Sequence, residues 1–567
     1  MPLAERHKII ILLCVFAGLY TAMASYSLRQ ISATFDEPVQ LMAGAAMTKQ
    51  GDYRLDANHP PLARLLSALP WKGEAQFTMT PACAKADHWR CAYAFLYQDN
   101  DADRLLLQSR LVNVALGLLL ALIFFAFAYE LFGFNIAALL LLFFGFEPNI
   151  LAHARLATTD MAYVTFALGT LYFLSRLLST FRWLNVVGLC VFSALALAAK
   201  FSALILVPII ALGLLGRAFV KTAWGDIAAK AEIYKKIGLV VGLLLMVWWI
   251  FLWAVYGFHH APKQGDAFAL TTPVLAEQIS PISTKVANTI DGWQLLPQAY
   301  VQGFLRTMVR SAQGAPSYLL GEGQAQGWTF YYPLAFLFKT SACLLLLFAL
   351  SLFWWPKGDD FSRRHLFFLW GPALLILLAA MNVQLNSGVR YLLLLYPLLL
   401  LGAGRVLALL LKRKLRWLIG TLLILSALEL ATVYPYPLTF FNGLVGGPAN
   451  GHRLLVDSNL DWGQQLIGLK TWMDKEGVEH INLRYTGTAE PKYYGIKHTD
   501  ILGDMNETGG LPDPSTPIQL QLPGYVAVGA TNLVMEKGVF AELYKLEPVA
   551  VLQNSLFIYY LEKPWWE

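Results

Sequence analysis

The sequence predicts a polytopic α-helical membrane protein of about eleven transmembrane helices, followed by a soluble α/β domain on the exported side. Three observations carry this. Of 567 residues, 57% are hydrophobic and only 14% charged, more apolar side chain than a soluble core of this size needs. The apolar residues gather in runs near 9–28, 107–131, 136–152, 161–178, 183–199, 201–216, 237–256, 333–354, 366–381, 391–411 and 417–433. The basic residues fall on alternate connections between those runs.

Arg6 and Lys8 before an apolar run resemble a signal peptide, but the run approaches a full span and lacks a small-residue cleavage site. A retained first helix is expected. The stretch 183–216 is too long for one span and carries Lys200 at its middle, so it divides into two.

Charge sets the orientation. Arg6 and Lys8, then Arg217, Lys221, Lys230, Lys235 and Lys236, then Lys357, Arg363 and Arg364, then Lys412, Arg413, Lys414 and Arg416 all fall on one side under alternating threading. That side is read as cytoplasmic. An odd number of spans then exports three larger segments, the loops 29–106 and 257–332 and the tail from about Tyr434 to Glu567. Residues 1–433 are therefore expected to form the membrane domain and 434–567 a periplasmic or extracellular one, in a multi-pass protein of the inner (plasma) membrane. In the tail, Gln464–Lys475 reads as an amphipathic helix, and Ile481–Tyr485, Tyr525–Ala530 and Ser555–Leu561 read as strands. The net charge of +6 sits in short loops, which speaks for topology and against nucleic acid as a partner.

Cys14, Cys190 and Cys343 fall in apolar runs as packing residues, and no CxxC or Cys/His cluster suggests zinc. Cys83 and Cys91 share one polar loop. They pair if that loop meets an oxidising compartment, and the sequence leaves both states open.

The residues that topology does not explain lie at the exported edge. Asp36 and Glu37 follow the first run and Asp160 opens the fourth. Carboxylates there are costly to desolvate and mark a candidate site, although Asp160 also suits a helix cap. Five cations sit on the same unfavourable side: Arg64 after the turn His59-Pro60-Pro61, then Arg155, Lys200, Lys339 and Arg390. Each alone is explained by snorkelling or by an acidic partner. Together, beside three acids, they suit a lipid phosphate entering from the bilayer.

Phe35-Asp36-Glu37, the turn His59-Pro60-Pro61-Leu62-Ala63-Arg64, Thr159-Asp160-Met161 and Lys200-Phe201-Ser202 together resemble the lipid-carrier-dependent glycosyltransferases of family 39, in the C-type superfamily. Tyr318–Glu322 through Lys339-Thr340, and Gly388-Val389-Arg390-Tyr391, resemble bacterial members, as do Phe441-Asn442, Gly446–Pro448 and Asp457–Gly463 in the tail. The resemblance implies transfer of one sugar, with inversion, from a polyprenyl-phosphate donor to a protein, lipid or polysaccharide acceptor on the non-cytoplasmic face. It implies Asp36 as base, with Glu37 beside it and Asp160 as the second acidic position. Arg64 and His59 stand where the family's turn carries lysines, and with Lys200, Arg390 and Arg155 they form the expected phosphate-binding set. Asp36, Glu37, Asp160, His59 and His153 offer donors for a divalent cation, but the cations present serve the same charge, and no cofactor is expected. A ligase or polymerase of lipid-linked oligosaccharides would need the same cations. A lipid or sugar transporter would place its ionisable groups nearer mid-bilayer and show related halves. Asp457 and Asp461 are read as turn-formers in the tail, with acceptor binding as the alternative.

Overall fold

The structure is a computed structural model that describes residues 3–85, 87–219, 230–260, 278–353, 360–503 and 517–566. Lys221 and Lys357 of the charge argument lie outside these residues, as do the side chains of Lys230, Arg363 and Arg364.

Among the described residues, five helices are long and apolar enough to cross a membrane: Leu3–Leu28, Ala102–Phe132, Asp160–Ser179, Ala231–Val255 and Leu395–Lys412. Two bent pairs raise the number to as many as seven, and Trp183–Ala199, Phe201–Arg217 and Leu369–Met381 are shorter apolar helices. The eleven runs of the sequence are thus helical, but fewer have the length of an unbroken span. The breaks have local causes. Phe134–Gly145 and Pro148–Ala154 meet at 66°, where Pro148 starts a new helix capped by Glu147. Tyr331–Lys339 and Ala342–Phe353 meet at 116°. Carbonyls freed at a helix end need partners where water is scarce. Asn442 Nδ2 donates to the carbonyls of Leu337 and Thr340 at 2.6 and 2.8 Å, and Asn149 Nδ2 to that of Lys339 at 2.6 Å.

The segment after the first helix is not plain loop. Helix Glu37–Gln50 starts with Pro38 in its first turn and ends at Gly51, whose φ of 64° closes the C-terminus. Helix Leu62–Ala68 crosses it closely at Gly44, where a Cβ would stand 2.9 Å from the Arg64 carbonyl. Cys83 and Cys91 form a disulfide.

The tail holds a five-stranded mixed sheet in the order His498–Asp500, Ile481–Arg484, Gly524–Gly529, Leu556–Leu561, Ala550–Leu552. The first three strands are parallel and the last two pair antiparallel. Helix Leu466–Glu476 packs on it. The edge strands 498–500 and 550–552 are too short to show periodicity in sequence. Leu41, Trp71 and Phe95 of the first loop share one core with Leu469, Ile481 and Ile558 of the tail. That shared core presses the tail against the acidic pair.

Candidate functional site

The tail sets the path of the chain into Asp36. Ser32 N donates to the Gln464 carbonyl at 3.1 Å and Phe35 N to that of Trp462 at 2.9 Å. Ser32 Oγ donates to the Gly463 carbonyl at 3.0 Å. The helix then starts, and its first turn separates the two adjacent acids. Glu37 turns inward and is fully buried. Its oxygens accept from Thr34 N and Oγ1, from Arg110 Nε and Nη2, and from Ala157 N, at 2.7–3.0 Å. Burial alone would raise this carboxyl, but Arg110 and the backbone donors hold it below the usual value. Every acceptor direction is used, so the structure places Glu37 as an anchor for the segment 28–37, away from the expected catalytic position.

Asp36 turns outward. Its Oδ2 accepts from Arg390 Nη1 at 2.7 Å, with the two side chains 28% and 15% exposed. Arg390 Nε donates to the Ser387 carbonyl at 3.0 Å, and among the described residues Nη2 has no protein acceptor. The guanidinium lies over the Trp462 ring at 4.4 Å. Burial works against its charge, but Asp36 and Asp160 outweigh that and hold it protonated.

Asp160 and Lys200 form a buried ion pair at 2.5 Å. Lys200 also sits over the Tyr391 ring at 4.6 Å. The pair therefore stands behind Tyr391, one layer from the pocket.

Arg64 belongs to the expected phosphate-binding set, and the structure gives it other work. It is 1% exposed, and it donates to Gln40 Oε1 at 3.0 Å and to the carbonyls of Asp56 and His59 at 2.5 and 3.1 Å. It also pairs with Asp56 at 3.3 Å. A guanidinium matched on all sides holds the turn and has no fork left for phosphate. Arg155 is likewise buried away from the pocket, donating to the Ser27 carbonyl at 3.0 Å. Lys339 is spent on the carbonyls of Leu438 and Asn459 at 2.8 and 2.5 Å. His153 is buried edge-on to Trp462. His59 does reach the site. Desolvation, Lys200 and Arg64 push its imidazole down to about 3, so it stands neutral.

Asp36, His59 and Arg390 line one open pocket of about 130 Å³ with Asp56, His88, Trp89, Arg310 and Tyr391. Sequence reasoning missed several of these. His88 and Trp89 come from the disulfide-closed loop, where Trp89 meets Phe35 edge-on at 4.8 Å. Arg310 lies on helix Gln298–Gln313, whose polar face reads in sequence as solvated. Arg110 hides at the head of an apolar run, and only its carboxylate partner reveals it. Asp461, by contrast, is a turn anchor, its oxygens accepting from Thr531 N and Gln465 Nε2 at 2.8 and 2.6 Å. Among the described residues, no three His, Cys, Asp or Glu side chains group as metal ligands.

Fold and site together define a multi-pass helical membrane protein with an acid–cation pocket at one end of its bundle. The chain is similar to the structure of ArnT from Cupriavidus metallidurans bound to undecaprenyl phosphate, with 12% identity over 96% of this chain and 97% of that one and a TM-score of 0.43. It is similar to the Archaeoglobus fulgidus oligosaccharyltransferase in the apo form, with 12% identity over 93% and 71% and a TM-score of 0.45. It is also similar to the S. cerevisiae protein O-mannosyltransferase Pmt1-Pmt2 complex bound to the sugar donor, with 18% identity over 44% and 33% and a TM-score of 0.33. No protein-family model matches the sequence, and no curated protein matches it.

Proposed function

We propose that this chain is a membrane glycosyltransferase that moves one sugar from a polyprenyl-phosphate donor to an acceptor hydroxyl on the non-cytoplasmic face. The observation that carries the reading is the Asp36–Arg390 pair at 2.7 Å in a pocket that also holds Arg310 and neutral His59. A base and a phosphate-binding cation are thereby held side by side.

Asp36 takes the proton of the acceptor hydroxyl as its oxygen attacks the anomeric carbon from the face opposite the phosphate. The bond from that carbon to the phosphate oxygen breaks, and the lipid phosphate leaves with the electron pair. A positioned base contributes roughly 10²–10⁴-fold. The charge growing on the phosphate falls to Arg390, whose Nη2 is directed to no protein acceptor among the described residues and whose fork suits phosphate. Arg310, on the same lining, adds a second charge, and His59 adds a hydrogen bond. Asp160 and Lys200 act through Tyr391. The divalent cation of the sequence reading has no step here. The exported side of the site agrees with the disulfide at Cys83–Cys91, which forms in oxidising compartments.

The test is Asp36→Asn in the full chain reconstituted in lipid vesicles with a polyprenyl-phosphate-linked sugar. Transfer is expected to fall about 10²–10⁴-fold while donor still binds. Unchanged transfer would remove Asp36 as the base. Mass analysis of the product separates one added sugar from a preformed chain, the outcome a ligase would give.

A further inference from the structure

Leu385, Asn386 and Ser387 form a wall one chain thick. Leu385 and Ser387 line the Asp36 pocket, whereas Asn386 lines a second cavity of about 510 Å³ on the other side, the alternation of an extended chain. This cavity lies between the hairpin 317–324 and the tail helix Ala530–Met535. Tyr318, Tyr331, Val456 and Met535 give it apolar walls.

Its polar edge is incompletely matched. Asn386 and Ser317 are each 5% exposed, and neither Asn386 Nδ2 nor Ser317 Oγ has a hydrogen-bond partner among the described residues. The amide is oriented from its other end, where Oδ1 accepts from Trp328 N at 2.5 Å. Asp457 adds a carboxylate at the same edge. Its backbone is held at a φ of 58° while its N–H donates to Thr531 Oγ1 at 3.0 Å. Among the described residues no side chain donates to that carboxylate. Two further polar side chains of the lining are taken. Asn532 bridges Thr486 and Glu536 at 3.0 Å each, and Lys537 holds the Gly321 carbonyl at 2.6 Å. Buried polar atoms of native proteins are rarely left unpaired, and two of them facing one cavity call for a partner such as water or a ligand.

We propose that this cavity is a second ligand site, separate from the phosphate pocket, for a neutral hydroxyl-bearing molecule of carbohydrate type. A hydroxyl accepts from Asn386 Nδ2 and others donate to Asp457 and exchange with Ser317 Oγ, because one hydroxyl supplies both roles in a single group. The apolar face of a sugar ring lies against Tyr318 and Tyr331. Asp457 repels an anion, while Arg484 is taken by Glu536 at 2.6 Å and Lys537 by the Gly321 carbonyl, so the edge disfavours free and lipid phosphate alike. The shared wall 385–387 puts the ligand one residue from the Asp36 pocket. The site stands whether or not the chain transfers sugar.

The test is saturation-transfer NMR of the full chain in detergent with maltotriose, chitotriose and mannotriose, and with inorganic phosphate as control. At least one trisaccharide is expected to bind, and added phosphate to leave its saturation-transfer signal unchanged. Asn386→Asp keeps the acceptor for Trp328 N but removes the donor, and Ser317→Ala removes the hydroxyl. Each is expected to weaken binding about tenfold, while Asp36→Asn leaves it unchanged. If Asn386→Asp does not fold, as judged by its melting curve, Ser317→Ala decides. Absence of binding by all three sugars, binding that survives both variants, or binding lost in Asp36→Asn would each overturn the proposal.

Discussion

The Trp462 ring lies 4.4 Å from the Arg390 guanidinium, and the carbonyl of the same residue accepts from Phe35 N at 2.9 Å. One tail residue therefore touches both sides of the Asp36–Arg390 pair. Its neighbours extend the clamp. Asn459 Oδ1 accepts from Val389 N at 2.9 Å, and Ser458 Oγ donates to the Ser387 carbonyl at 2.7 Å. The segment Asp457–Gly463 is a brace that brings two distant parts of the membrane domain to one spacing.

The ring should matter more than the bulk. A partly desolvated cation–π contact contributes about 1–2 kcal/mol. Trp462→Leu is expected to raise the donor KM or lower transfer about tenfold, with Trp462→Phe restoring most of it. Equal loss in both variants, tracking a lower melting temperature, would reduce Trp462 to a packing residue.

Glu37 and Arg110 should respond as structural partners. Their ion pair is buried at 2.7 Å, with side chains 0% and 4% exposed. Removing one partner strands the other charge, a loss of about 3–5 kcal/mol. Glu37→Gln and Arg110→Leu are each expected to lower thermal stability and yield of folded protein. A stable Glu37→Gln protein that binds donor but does not transfer would return Glu37 to the chemistry.

Gly388 is where the brace approaches most closely. Its φ is 89°, and a Cβ there would stand 2.3 Å from Ser458 Oγ. Gly388→Ala combines backbone strain with a clash, about 1–3 kcal/mol. The expected reading is weaker protection from hydrogen exchange at both 387–390 and 457–463. Loss confined to one of the two segments would show that they are not coupled.

Asp457 should make stability depend on pH. Burial raises its carboxyl from 3.8 to about 6, against the pull of Arg390. A raised acid favours the folded state while protonated, so its contribution is full below about 4 and is lost as pH rises through about 6. Asp457→Asn keeps a side chain that tolerates positive φ and removes the charge. It is expected to melt above the parent protein at pH 8, by on the order of 1–2 kcal/mol, with the gap closing by pH 4. A gap that does not change with pH would exclude the carboxyl as its source.

Some of the site was legible because it broke a rule of composition. Charges at a membrane edge are costly, so Asp36, Asp160, Lys200 and Arg390 stood out without any partner being known. The same rule overreached at Arg64, Arg155 and Lys339, since a costly charge marks a constraint without saying which. Asp56 answers Arg64, and two carbonyls answer Lys339. Trp89 and Arg310 left no such mark, because aromatic and basic residues in a polar loop look solvated until the loop folds over.

The order of apolar runs, the helical character of the chain and the three central strands of the tail were determined by sequence alone, since hydrophobic period and run length act locally. Which of two adjacent acids faces the pocket was decided by tertiary structure. Asp36 and Glu37 are alike in sequence, and only the helix start and the distant Arg110 and Arg390 divide them between an anchor and an open carboxylate. Partners 73 and 354 residues away are chosen by packing, and packing has no local period to read.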